Sequence, residues 1–206
     1  MGLTQGQITA ALDELAAREP KIARALEVAG YPEPRNRETG YRTLLRTIVG
    51  QQVSVAAAAS VWRKLEAELG EEMDARDLLA RDFDTLRACG LSRQKQGYAR
   101  SLCELVAEGS LDLGALPADD EAAIAELTRI KGIGRWSAEI YLLFAEGRSD
   151  IWPAGDLAVQ KAVGKIMQLD ENLPPEKTVR AIAEAWRPYR GAMAIFAWDT
   201  YNMEAI

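Results

Sequence analysis

The amino-acid sequence predicts an all-α protein, and three observations carry that prediction. Apolar residues recur at three- and four-residue spacing along most of the chain, as on the buried stripe of a helix. No segment alternates apolar and polar residues convincingly, as a half-buried strand would. Ser, Thr and Asp repeatedly stand just before these periodic runs and Gly just after them, where they cap helix ends.

Thr4 with Gln7 forms a capping-box pattern that opens a helix running to about Glu19. A shorter helix, Lys21 to Ala29, stops at Gly30, and Tyr31-Pro32-Glu33-Pro34 makes an irregular loop. Glu38 to Gly50 reads as a helix that buries Leu44, Leu45, Ile48 and Val49. Ser54 caps an alanine-rich helix that reaches Leu69 and ends at Gly70. Asp74 and Asp82 cap two short helices, Ala75 to Ala80 and Phe83 to Ala88. Ser92 opens a longer one to Glu108. Asp119 to Ile130 and Arg135 to Glu146 form the arms of a helical hairpin around Lys131-Gly132-Ile133-Gly134. Leu157 to Met167, Pro175 to Trp186 and Tyr189 to Tyr201 complete the series. Two helical lobes are expected, with a cleft near the hairpin and Asp156. Residues 1–37 are expected to pack as amino-terminal helices on a core of residues 38–206, which holds the hairpin (127–146) and the loop 152–156.

Composition narrows the chemistry. The chain has 206 residues, 48% of them hydrophobic, enough for a packed interior and against disorder. No run approaches the roughly 20 apolar residues that span a bilayer. The start lacks a basic segment followed by an apolar one, so no signal peptide is expected. A soluble, cytoplasmic monomer with no membrane association is the expectation. Histidine is absent, which excludes Ser-His-Asp and Cys-His mechanisms and argues against catalytic zinc. The two cysteines, Cys89 and Cys103, form no CxxC pair, so a zinc or disulfide framework is not expected.

The net charge of −6 opposes nucleic-acid binding, because neutralised phosphates dominate such affinity. Its distribution tells the other way. Arg129, Lys131 and Arg135 surround the hairpin with no acid between Leu127 and Ala138, and Arg93, Lys95 and Arg100 add a second basic stretch. Acids gather elsewhere, at Glu66, Glu68, Glu71 and Glu72 and at Asp119 to Glu121. A modest basic strip on an acidic body follows, with DNA affinity sensitive to salt.

The hairpin turn is where chemistry concentrates. Glycine reaches positive φ without strain, and its missing side chain lets a ligand approach backbone N–H groups. Such groups at a helix start favour an anion like DNA phosphate. Asp156 follows a Trp152-Pro153-Ala154-Gly155 loop, 22 residues after Gly134. Read alone, it is an ordinary helix cap. A carboxylate in a fixed loop is also suited to stabilising positive charge that develops beside it during a reaction.

The segment LTRIKGIGRWSA followed by WPAGDLAVQKA resembles the helix-hairpin-helix DNA glycosylases that carry a Gly/Pro-rich loop and an aspartate. Within them it is most similar to the 3-methyladenine DNA glycosylase II family. The resemblance covers roughly Glu38 to Tyr201 and implies that family's fold, Asp156 as the catalytic carboxylate, and double-stranded DNA with alkylated bases as partner. It implies backbone contacts to DNA at Lys131, Gly132, Gly134 and Arg135. Relatives that also nick the strand place a lysine at the position of Trp136; here no amine stands there, so a monofunctional enzyme is expected. Trp136 and Trp198 would form walls for the extruded base, with Tyr141 nearby, while Ile140 replaces the family's stacking tyrosine. Gln52 would enter the duplex where the base has left, with Gln51 as a supporting contact. Carbonyls of Ile130 and Ile133 would hold a monovalent cation. No required cofactor is implied, and two cysteines cannot carry the four-cysteine iron–sulfur cluster of some relatives. Two rivals are a glycosylase for another lesion and a non-catalytic hairpin module in which Asp156 only caps a helix.

Overall fold

A computed structural model describes residues 2–70 and 72–204; Glu71 of the acidic run lies outside them. Among the described residues the secondary structure is helical throughout. In chain order the helices are α1 (Gln5–Arg18), α2 (Pro20–Ala29), α3 (Tyr41–Gly50), α4 (Val55–Leu69), α5 (Ala75–Ala80) and α6 (Phe83–Ala88). They continue with α7 (Arg93–Ala107), α8 (Asp120–Thr128), α9 (Arg135–Tyr141), α10 (Leu157–Ile166), α11 (Glu176–Ala183) and α12 (Arg190–Thr200). The chain of α9 runs on into a π-helical turn, Leu142–Glu146, and α11 into a 3₁₀ turn, Glu184–Trp186. No helix among the described residues is long and apolar enough to cross a membrane.

Capping fixes most boundaries. Thr4 and Gln7 close the expected capping box. Ser54, Asp74, Asp82, Ser92 and Asp119 each accept a backbone N–H from the first turn of the helix they open. Each such cap is typically worth about 1 kcal/mol. Of the starts that differ from the sequence expectation, two have clear physical causes. Pro20 opens α2, because proline lacks only an N–H that the first turn leaves unpaired anyway. Helix α3 begins at Tyr41 rather than Glu38, because Gly40 sits at φ 99°, outside helical space.

The chain divides into two compact units. One comprises residues 1–37 and 142–206, so the amino-terminal helices belong with the carboxy-terminal ones. Its interior is built from Ile8, Leu12, Leu15, Ile22, Val159, Val163, Met193 and Phe196. Helix α12 packs against α1 and α10, and α2 packs against α1 and α10. The other unit is residues 38–141. There α7 is central, packed against α3, α5 and α6, with α8 on α9 and α4 and α9 on α3. Leu44, Leu45, Ile48, Leu65, Leu78, Leu86 and Leu102 fill that interior. Burial of each such side chain contributes roughly 1.5–3 kcal/mol.

Candidate active site and nucleic-acid interface

In the unit of residues 38–141, the hairpin turn is a tight reversal. Ile133 donates its N–H to the Ile130 carbonyl at 3.0 Å. Both isoleucine side chains are buried, which leaves Lys131, Gly132 and Gly134 exposed. The two glycines serve different ends. Gly132 has φ 82°, and a Cβ there would lie 2.2 Å from a ring carbon of Tyr98. Gly134 lies outside the left-handed region, and a Cβ there would meet nothing within 4 Å. Nothing in the folded chain therefore requires glycine at 134, which is open to whatever approaches from outside.

The turn is gripped by residues that sequence reasoning did not single out. Ser101 of α7 accepts the Lys131 N–H at 3.1 Å, and Tyr98, one turn earlier, lies under Gly132. Their three-residue spacing is legible as a helix face, but nothing in it names the hairpin as partner. Gln51 donates from Nε2 to the Gly132 carbonyl at 2.8 Å. Gln52 is exposed and held at φ 55°, a left-handed conformation uncommon for a residue other than glycine. Val53 and Val55, beside it, are exposed as well. Lys95 steadies the start of this loop by donating to the Val49 carbonyl at 2.7 Å, and burial lowers its pKa.

The basic residues are largely spent inside this unit. Arg135 donates from Nη1 and Nη2 to both oxygens of Glu121, at 2.8 and 2.5 Å, and from Nε to Glu139 at 2.9 Å. Glu139 is only 3% exposed, so that ion pair answers a buried carboxylate. The Glu121 hydrogen bonds are the main cause of a raised Arg135 pKa, with both carboxylates adding to it. Arg129 is paired with Glu126 and bonded to the Ser110 carbonyl. Arg93 lies over the Phe83 ring, and Arg100 donates to the carbonyls of Leu79 and Arg81. Of the expected basic strip, Lys131 is exposed, and its backbone N–H is held by Ser101.

In the unit of residues 1–37 and 142–206, Asp156 is the N-cap of α10. Its Oδ1 accepts the N–H groups of Ala158 at 2.8 Å and Val159 at 3.1 Å. The carboxylate is thereby held still and half-buried at a helix amino terminus, where the helix dipole favours negative charge. The preceding loop is buried and internally hydrogen-bonded. Ile151 to Ala154 are buried, Ala154 donates to the Trp152 carbonyl at 2.9 Å, and Asp156 donates to the Pro153 carbonyl at 3.0 Å. Gln160, a buried residue one turn into α10, donates to the Ala154 carbonyl at 2.9 Å. Trp152 meets Trp186 edge-on, with ring centroids 5.2 Å apart.

The aromatic candidates separate by exposure. Trp136 is 48% exposed near the start of α9. Trp198 is half-buried and lies 5.4 Å from Phe144, tilted by 42°. Tyr141 is buried, and its hydroxyl accepts the Gly40 N–H at 2.7 Å, a core anchoring role. Ile140 is buried too. For a monovalent cation the donors at the hairpin fit in kind. They are hard, neutral backbone oxygens, and the Ile130 carbonyl accepts one bond while having two lone pairs. Among the described residues no group of three His, Cys, Asp or Glu side chains is placed to hold a metal ion.

The chain as a whole is similar to known proteins. The chain is 28% identical over 166 residues to DNA-3-methyladenine glycosylase 2 of Escherichia coli, covering 76% of this chain and 56% of that one. It thus spans little more than half of that relative. A DNA-3-methyladenine glycosidase from Bacillus halodurans matches in structure with a TM-score of 0.86 and 28% identity, over 95% of this chain and 90% of that one. A 3-methyladenine DNA glycosylase from Schizosaccharomyces pombe, in complex with abasic DNA, matches with a TM-score of 0.79 and 27% identity, over 96% and 98%. The family model for HhH-GPD superfamily base excision DNA repair proteins matches residues 45–188, which include the hairpin and Asp156. The chain belongs to the HhH-GPD superfamily of base excision DNA repair proteins.

Proposed function

We propose that the protein is a monofunctional DNA glycosylase that releases alkylated purines such as 3-methyladenine and 7-methylguanine from duplex DNA. The observation that carries this reading is the fixed carboxylate of Asp156, held by two N–H groups of α10 within the region the family model matches. The 3-methyladenine glycosylases among its relatives support the substrate class.

The chemistry follows from electrostatics. The target nucleotide is flipped from the stack. Its C1′–N bond breaks, the electron pair leaves with the base, and positive charge develops on the sugar. Asp156 stabilises that charge, water oxygen adds at C1′, and the water's proton passes to solvent. Bonds from Ala158 and Val159 keep the carboxylate in place, so it need not reorganise as charge develops. A base alkylated at N3 or N7 already carries positive charge and leaves without protonation, which suits a chain with no histidine. Trp136 and Trp198 are each proposed to stack on the extruded base. Gln52 is the proposed wedge, presented by its left-handed backbone, with Gln51 holding the loop to the hairpin. Gly134 is the proposed point of phosphate approach, with Lys131 beside it. Carbonyls of Ile130 and Ile133 would hold a monovalent cation, which would add positive charge near that phosphate.

The absence of strand nicking rests on Trp136, which offers no amine for a Schiff base. Chromatography of bases freed from methylated duplex DNA tests the reading. Release of free 3-methyladenine and 7-methylguanine is expected. Binding of the duplex without release of any base would favour a non-catalytic hairpin module instead.

A further inference from the structure

We propose that Arg190 is a positioning residue for Asp156, acting through Asp150 and the loop of residues 149–156. The inference rests on the reading of Asp156 as the catalytic carboxylate. Arg190 opens α12 and its side chain is largely buried. It donates from Nε to Asp150 Oδ1 at 2.8 Å and from Nη2 to Oδ2 at 2.9 Å, a two-point planar fork. Its Nη1 reaches Glu184 at 3.1 Å, and Arg187 adds a bond to Asp150 at 2.6 Å. At the next residue, Gly191 donates its N–H to the Ser149 carbonyl at 2.7 Å. A Cβ at 191 would fall 2.7 Å from that same oxygen, so only glycine lets α12 approach the loop this closely.

The start of the loop is thus fastened to α12, as its end is fastened to α10. Between the two ends Trp152 is buried edge-on to Trp186. The peptide groups of Trp152 to Asp156 are linked by short-range bonds of 2.9 and 3.0 Å. That leaves little slack over which a shift at Asp150 could be absorbed before it reaches Asp156. Stability alone is a poor reason for this ion pair, since apolar residues of similar volume often serve as well in buried sites. A guanidinium–carboxylate fork instead fixes distance and orientation together, which lysine cannot do.

The test measures single-turnover release of 7-methylguanine from a duplex by the wild-type chain and by Arg190→Lys, Arg190→Ala and Asp150→Asn. Asp156→Asn serves as the reference, and Val179→Ala, a buried site in α11 of the same unit, as the stability control. Arg190→Lys and Asp150→Asn should slow the chemical step by roughly tenfold to a hundredfold, because about 1 Å of misplacement can cost that much. Affinity for an abasic duplex should not change. Millimolar guanidinium should restore part of the rate to Arg190→Ala, while sodium chloride at equal ionic strength should not. Val179→Ala should lose melting temperature but keep its rate. A wild-type rate in Arg190→Lys beside an inactive Asp156→Asn would overturn this proposal alone. So would a loss of rate in Val179→Ala equal to that in Arg190→Lys. A wild-type rate in Asp156→Asn would overturn the reading of the carboxylate and this proposal with it.

Discussion

A side chain at position 132 would begin 2.2 Å from the ring of Tyr98, whereas one at position 134 would begin in open space. Two glycines of one turn are therefore under different constraints. Gly132→Ala should destabilise the fold by about 1–3 kcal/mol, from left-handed strain and collision with Tyr98. Gly134→Leu should leave the melting temperature nearly unchanged but weaken binding to all duplexes alike, since phosphate contacts carry no base information. Thermal melting beside fluorescence binding separates the two. Equal melting losses would show that Gly134 serves the fold instead.

Lys131 gives a second test of the interface. The guanidiniums of Arg129 and Arg135 are engaged by carboxylates, so the hairpin's adjustable positive charge rests on this lysine. Lys131→Ala should weaken binding across sequences and lower the slope of log affinity against log salt by about 1. Titration at several salt concentrations measures that slope. An unchanged slope would remove Lys131 from the phosphate contacts.

Trp136 predicts the type of product. Borohydride added during turnover should trap no enzyme–DNA adduct, and strand breaks should appear only after alkali. A trapped covalent species would reveal a nucleophilic amine elsewhere in the chain.

The proposed aromatic stacking predicts lesion preference. Trp198→Ala should slow release of cationic 3-methyladenine and 7-methylguanine more than that of neutral uracil. The extra loss should be roughly 0.5–2 kcal/mol, the size of a cation–π contact. Competition between lesions in one duplex context reads this out. A uniform loss across lesions would make Trp198 a packing residue, through its contact with Phe144.

Much of the fold was legible because local chemistry sets helix ends. The caps at Thr4, Ser54, Asp74, Asp82 and Ser92 were readable from residue type and position alone, and each makes its bond. One boundary between the units, at Tyr141 and Leu142, was not readable, because it falls within one continuous apolar helical pattern. The partners of the charged residues were hidden for a related reason. Arg135 has no acid near it on its own amino-terminal side of the hairpin arm, but its partner Glu121 is fourteen residues away, on α8. Lys95 and Arg100 belong to the second basic stretch, and their side chains end on backbone carbonyls contributed by other helices and loops. Tyr141, expected beside the base pocket, is buried, and its hydroxyl accepts the N–H of Gly40, 101 residues earlier. Sequence spacing conveys which residues share a helix face; it does not convey what that face meets.

The central claim is that the negative charge of Asp156, beyond its capping bonds, drives base release. Asp156→Asn isolates that charge, because asparagine caps a helix about as well as aspartate and has nearly the same size. The decisive measurement is single-turnover release of 3-methyladenine by Asp156→Asn, beside its melting temperature and its affinity for an abasic duplex. The account predicts release slowed by orders of magnitude, with folding and abasic-DNA binding retained. Release at a near-normal rate from the folded variant would contradict it.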